Sequence, residues 1–315
     1  MSKLLRQLLP FASLILIIVL LSILRPDAFL TAENFLNVLR RSSVNGIMAA
    51  GMTAVIISGG IDLSVGSMLA AAGMVGAWTM LQVSGVPLTA GAMVAGTAAG
   101  ALAGVACGLL NGVVITKLKL PPFIVTLGTM SAFRGIAYVM NDKQPYNLPG
   151  YAYLGVGAVL GVPVSIVIFA VVVVLSVLVL RYTRLGRHTY AIGSNRQAAF
   201  HAGINVDRNL IAVYTLTGLV VGVAAMIATS RIVSAQPTAG IGLELDIIAA
   251  VIIGGASLAG GRGTILGTVI GTLLISFLRN GCTILNVSTE YQFIVIGVVI
   301  IVAVAVDQLA RARAE

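Results

Sequence analysis

Residues 163–180 read PVSIVIFAVVVVLSVLVL, a run with no charged group that is long enough to cross a lipid bilayer as a helix. Runs of this kind recur along the whole chain. They fall near 8–24, 44–60, 64–81, 89–111, 123–140, 163–181, 209–230, 245–259, 263–280 and 291–306, which predicts about ten transmembrane helices. Glycines interrupt the apolar sequence at 60–64 and 259–263; with those two pairs re-entrant the number falls to about eight. The residues do not alternate polar with apolar as the strands of an outer-membrane barrel would. Only 9% are charged and 58% are hydrophobic, whereas charged residues make up roughly a quarter of a soluble domain. The expectation is therefore an all-α polytopic membrane protein. It forms one transmembrane domain over residues 1–315, with several short or glycine-broken helices.

Lysine and arginine set the orientation. The opening MSKLLRQLLPFASLILIIVLLSIL has the order of a signal peptide, but its apolar part runs on to about residue 24 and no small-residue cleavage site follows, so it reads as a retained first span. With the N-terminus cytoplasmic, the inner side collects Lys3, Arg6, Lys117, Lys119, Arg181, Arg184, Arg187, Arg196, Arg208, Arg262, Arg311 and Arg313. The outer side has only Arg25, Arg40, Arg41, Lys143, Arg231 and Arg279. That bias places both termini inside. It also accounts for the net charge of +9 without nucleic acid. The three outer arginines within 25–43 fit poorly, and NFLNVLRRSSV (34–44) is expected to lie along the surface as an amphipathic helix.

One stretch is unlike the rest. Residues 182–208, YTRLGRHTYAIGSNRQAAFHAGINVDR, hold both histidines and a run of arginines against the single acid Asp207. Within it Asn195 can cap RQAAFHA, and Gly203 can stop it. Such a loop either fixes orientation by its charge or docks a soluble partner; these residues alone fit both.

Glycines carry two further patterns. Gly96, Gly100, Gly104, Gly108 and Gly112 recur every four residues, as do Gly263, Gly267 and Gly271, and such stripes let helices approach closely in lipid. AVIISGGIDLSVG (54–66) is echoed by AVIIGGASLAGG (250–261), consistent with an internal repeat.

Groups able to do chemistry are few. The chain lacks G-x-x-x-x-G-K-[ST], so any nucleotide is hydrolysed by another polypeptide. Cys107 and Cys282 lie in or beside apolar segments, and neither a metal site nor a catalytic triad can be assembled. Charges within or beside spans are Asp62, Arg134, Glu244 and Asp246, candidates for gating or translocation. Asp62, with Ser64, also reads as a cap at a broken helix. Arg134 can equally snorkel outward or pair with an acid. The outer loops 141–155 and 234–246, the second with Gln236 and Pro237, offer amides and tyrosines that can hydrogen-bond a polyol or simply make turns.

The stretches NGIMAAGMTAVIISGGIDLSVGS (45–67), PPFIVTLGTMSAFRGIAY (121–138), TRLGRHTYAIGSNRQAAFHAGINV (183–206), SAQPTAGIGLELDIIAAVIIGGASLAGGRGTILGTVIG (234–271) and YQFIVIGVVIIVAVAVD (291–307) resemble the permeases of bacterial monosaccharide ABC importers, most closely the ribose type. The resemblance covers nearly the whole chain. It implies a multi-pass inner-membrane subunit pairing with a second copy or a paralogue, with ATP-binding cassette subunits inside and a periplasmic sugar-binding protein outside. No cofactor is expected on this chain; ATP and magnesium belong to the partner ATPase. Gly193, Asn195, Ala198, Ala199 and Gly203 match the family's coupling helix, and Ala199→Arg or Gly203→Val is expected to uncouple ATP hydrolysis from uptake. Phe200 and His201 are bulky departures from that pattern. A secondary carrier or facilitator working without an ATPase is the other class.

Overall fold

The computed structural model describes residues 3–312; Arg313, placed above among the inner charges, lies outside them. The helices are α1 (Lys3–Leu24), α2 (Pro26–Phe29), α3 (Ala32–Ile57), α4 (Val65–Ser84), α5 (Ala90–Lys117), α6 (Pro122–Val139), α7 (Tyr153–Val156), α8 (Val164–Tyr182), α9 (Arg184–Ser194), α10 (Arg196–His201), α11 (Val206–Ile232), α12 (Leu243–Ile253), α13 (Ile265–Ile284) and α14 (Thr289–Ala312). Two short antiparallel ribbons join loops: β1 (Tyr146–Asn147) pairs with β4 (Ser234–Ala235), and β2 (Ala158–Val159) with β3 (Val162–Pro163). Among the described residues, α4, α5, α6, α8, α11 and α13 are long and apolar enough to cross a membrane. The chain is an all-α polytopic membrane protein. Val167, Val171, Val174 and Leu178 of α8 are exposed, as suits a face turned to lipid.

Two expected segments come out differently. The amphipathic surface helix at 34–44 is the first half of α3, which Thr31 caps by accepting the Asn34 N–H at 3.1 Å. No proline separates 34 from 57, and the helix runs on through Gly46 and Gly51, with the hydroxyls of Ser42 and Ser43 bonded back to the carbonyls of Val38 and Leu39 instead of leaving the helix. Arg40 and Arg41 line a cavity instead of lying along a membrane surface. The expected span 245–259 is also absent as a single helix. α12 has 11 residues, a rise of about 16 Å against a hydrocarbon core of about 30 Å. The chain ahead of it, 236–242, is unwound.

Unwound backbone at membrane depth is tolerated only where protein satisfies its polar groups. Arg134 does this. One guanidinium nitrogen donates to the carbonyls of Pro237 and Ala239, each at 2.7 Å. Among the described residues it makes these two carbonyl contacts and no salt bridge.

The glycine stripe of α5 lies between α4 and α11. A methyl on Gly96 would strike Met80 and the Gly76 carbonyl, one on Gly100 the Met226 sulfur, and one on Gly104 or Gly108 the backbone of α11 at Gly218 or Tyr214. Glycine lets the backbones approach closely enough for van der Waals packing between them. Gly267 and Gly271 press on the carbonyls of Gly254, the residue that ends α12, and of Ala250 within it. Gly263 does not share that stripe, because α13 begins two residues later.

The echoed motifs end their helices identically. Gly60 N–H bonds the Val55 carbonyl and Gly59 N–H that of Ile56; in the second motif Ala256 bonds Val251 and Gly255 bonds Ile252. Gly59 and Gly255 occupy the left-handed conformation, at φ +84° and +91°, that this termination requires.

Candidate functional site

The two helix breaks meet the basic stretch at one end of the molecule. Thr183 caps α9 and Asn195 caps α10, accepting the Ala198 N–H at 2.9 Å. Gly203, at φ +83°, closes α10, with Ile204 N–H on the Ala199 carbonyl. α9 was not foreseen, since its arginines masked a helix that buries Gly186, Thr189 and Ile192. At its end Gly193 lies so close to the Ile57 carbonyl and the Gly261 nitrogen that a methyl there would overlap both. Gly261 itself donates to the Ile57 carbonyl at 2.8 Å. The Tyr190 hydroxyl donates to the Gly263 carbonyl at 2.8 Å, and burial pushes that phenol above its ordinary pKa. The stretch is thus seated on the ends of α3 and α12 together.

The surface it offers is narrower than the sequence suggested. Ala198, Phe200 and Arg196 are exposed, Phe200 at 66%. Ala199 is only 4% exposed and packs on Ile192, Val206 and Leu210. It is a core residue of the loop, so Ala199→Arg would disrupt the fold there before it tested any docking. Arg181, Arg184, Arg187 and Arg208 are exposed around it.

Asp62 and Ser64 sit inside the first break, fully buried. The Asp62 carboxylate accepts the Ser64 N–H at 2.9 Å and the Ser64 hydroxyl at 2.6 Å. Asn111 of α5 donates to that hydroxyl at 2.8 Å. Asn111 was missed, although one amide within an apolar, glycine-striped run was the signal to follow.

At the opposite end a cavity of about 780 Å³ opens among α3, α4, α11, α12, α13 and the unwound segment. Arg40, Arg41, Arg231 and Arg279 line it with Asn37, Asn45, Ser234, Gln236, Thr238, Ser276 and Asn280. Gly73 and Gly240 also line it. Asp246 holds Arg279 by two hydrogen bonds, of 2.7 and 2.9 Å. Glu244 lies beside Gly66 and outside the lining, and Pro237 contributes only its carbonyl to Arg134. Such a volume admits a small polar solute.

Residues 34–304 match the family described as the branched-chain amino acid transport system / permease component. The chain is 46% identical over 302 residues to the ribose import permease protein RbsC of Escherichia coli K12, covering 94% of this chain and 91% of the relative. It is 47% identical over 304 residues to RbsC of Bacillus subtilis 168, covering 95% and 92%. To the D-allose transport system permease protein AlsC of E. coli K12 it is 39% identical over 303 residues, covering 95% and 90%. No solved structure matches.

Proposed function

The chain belongs to the family of branched-chain amino acid transport system / permease components, and on that premise we propose that it is the membrane subunit of an ATP-driven importer of ribose or a related monosaccharide. About ten helices are embedded in the inner membrane, with both termini cytoplasmic, and a second copy or a paralogue completes the pore. ATP-binding subunits engage α10 through the exposed Asn195–Ala198 turn and Phe200. A periplasmic sugar-binding protein docks at the arginine-lined cavity, whose basic rim suits acidic groups on that protein and whose amides and hydroxyls suit a neutral polyol.

The junction of Gly193, Ile57 and Gly261 is the observation that carries this reading. α9, which leads directly into α10, is seated at Gly193 on two glycine-broken helices and can pass a push from a motor into both at once, which alternating access requires. The sugar class rests on the relatives, named for ribose and allose.

The test is reconstitution. Proteoliposomes holding the chain with its cassette and binding proteins should accumulate labelled ribose only with ATP. The chain alone should pass none down a gradient; unaided flux would make it a facilitator instead.

A further inference from the structure

Around the first helix break the polar atoms do not all find protein partners. One Asp62 oxygen accepts from both the N–H and the hydroxyl of Ser64. The other has only the Asn111 amide nitrogen, 3.5 Å away, too long to satisfy it. The Asn111 amide oxygen and the Tyr214 hydroxyl are buried without a hydrogen-bond partner, and both residues are completely enclosed. The Tyr214 oxygen lies against Gly60, where a methyl would come within 2.5 Å of it. Tyr214 itself packs along Gly112, the residue after Asn111. One donor and two acceptors are therefore left over beside a single turn of backbone.

Buried groups of this kind are costly unless something completes them. A cation would satisfy the oxygens of Asp62 and Asn111 but leave the Tyr214 proton with no acceptor. A water molecule can accept from the Tyr214 hydroxyl and donate to both oxygens, so it meets all three needs where a cation meets two. We propose that the break between α3 and α4 holds one ordered water, accepting from Tyr214 and donating to Asn111 and Asp62.

Such a site would set how the break can move. α5 and α11 are locked to each other by backbone contacts at Gly104, Gly108 and Gly218. The break meets that pair through polar groups, and a water-mediated contact reforms after a small slide where a close-packed one would not. If α10 takes a push as proposed above, α9 passes it through Gly193 to the chain around Ile57, and this water is where the break slips against the fixed pair.

Tyr214→Phe in the assembled transporter gives opposite outcomes for the two possibilities. With the water present, the melting temperature falls and ATP-driven uptake drops roughly two- to tenfold, as one hydrogen bond is lost. With no partner for the hydroxyl, phenylalanine removes an unpaired polar group, and a melting temperature equal to or above wild type overturns the proposal. Hydroxyl-radical footprinting of the unaltered transporter reads the water directly. Tyr214 should be labelled at a rate approaching that of exposed Tyr182, and an unlabelled Tyr214 overturns it too. Stabilisation by sodium over choline chloride that disappears in Asp62→Asn would assign the site to a cation instead. The melting, labelling and sodium readouts do not depend on α10; normal uptake with Ala198→Arg would sink the coupling role and leave the water in place.

Discussion

The backbone N–H of Gly261 bonds the carbonyl of Ile57 at 2.8 Å, tying the loop after α12 to the last turn of α3. Gly193 is wedged against both partners. Gly193→Ala should force them apart and cost about 1–3 kcal/mol, as overpacked sites do. In proteoliposomes, uptake should fall further than ATP hydrolysis. Wild-type uptake at wild-type expression would show that the junction transmits nothing.

Neighbouring alanines should behave differently. Ala198→Arg changes an exposed position and should weaken co-purification with the ATPase while the permease melts normally. Ala199→Arg puts a charge among Ile192, Val206 and Leu210 and should lower the melting temperature itself. Equal melting curves for the two variants would contradict the burial of Ala199.

Asp246 and Arg279 form a bidentate pair in which the acid is 2% exposed and the arginine 26%. Removing either strands the other. Asp246→Asn or Arg279→Gln should each cost roughly 2–3 kcal/mol, below the roughly 3–5 kcal/mol of a fully buried pair because Arg279 is partly solvated. The double variant should lose less than the sum. Strict additivity in that cycle would mean that the two do not interact.

Arg134→Leu should release the unwound segment. Two charge-assisted bonds to carbonyls are lost at 236–242, each worth about 1.5–3 kcal/mol. Amide exchange in that segment should accelerate well beyond any change in α6. Unchanged exchange would show that something other than Arg134 holds the segment.

Burial raises the Tyr151 phenol to about 12, with the hydroxyl bond to Thr97 opposing it. The group is neutral when folded and ionises near 10 when unfolded, so its contribution is complete below pH 10 and is lost as pH rises towards 12. Tyr151→Phe should flatten that part of the stability profile. A profile as steep as wild type would assign the alkaline loss to other groups.

Composition and uncharged run length were enough to define an all-helical membrane protein. Without water, helices must satisfy their own backbone, and the apolar runs leave little else to form. Local chemistry also marked Asn195 and Gly203 as the ends of α10, because caps depend on neighbours within one turn. Tertiary contacts decided the rest. Nothing in the order AAF tells Ala198 from Ala199 until the position of α11 sets which one faces inward. Arg40 and Arg41 looked misplaced on the outer side until α11 and α13 brought Arg231 and Arg279 around the same cavity. The echo of 54–66 in 250–261 was visible as letters, but the meeting of both breaks at Gly193 joins residues far apart in the chain. Contacts at that separation leave no local periodicity to read, and only the packed helices bring them together.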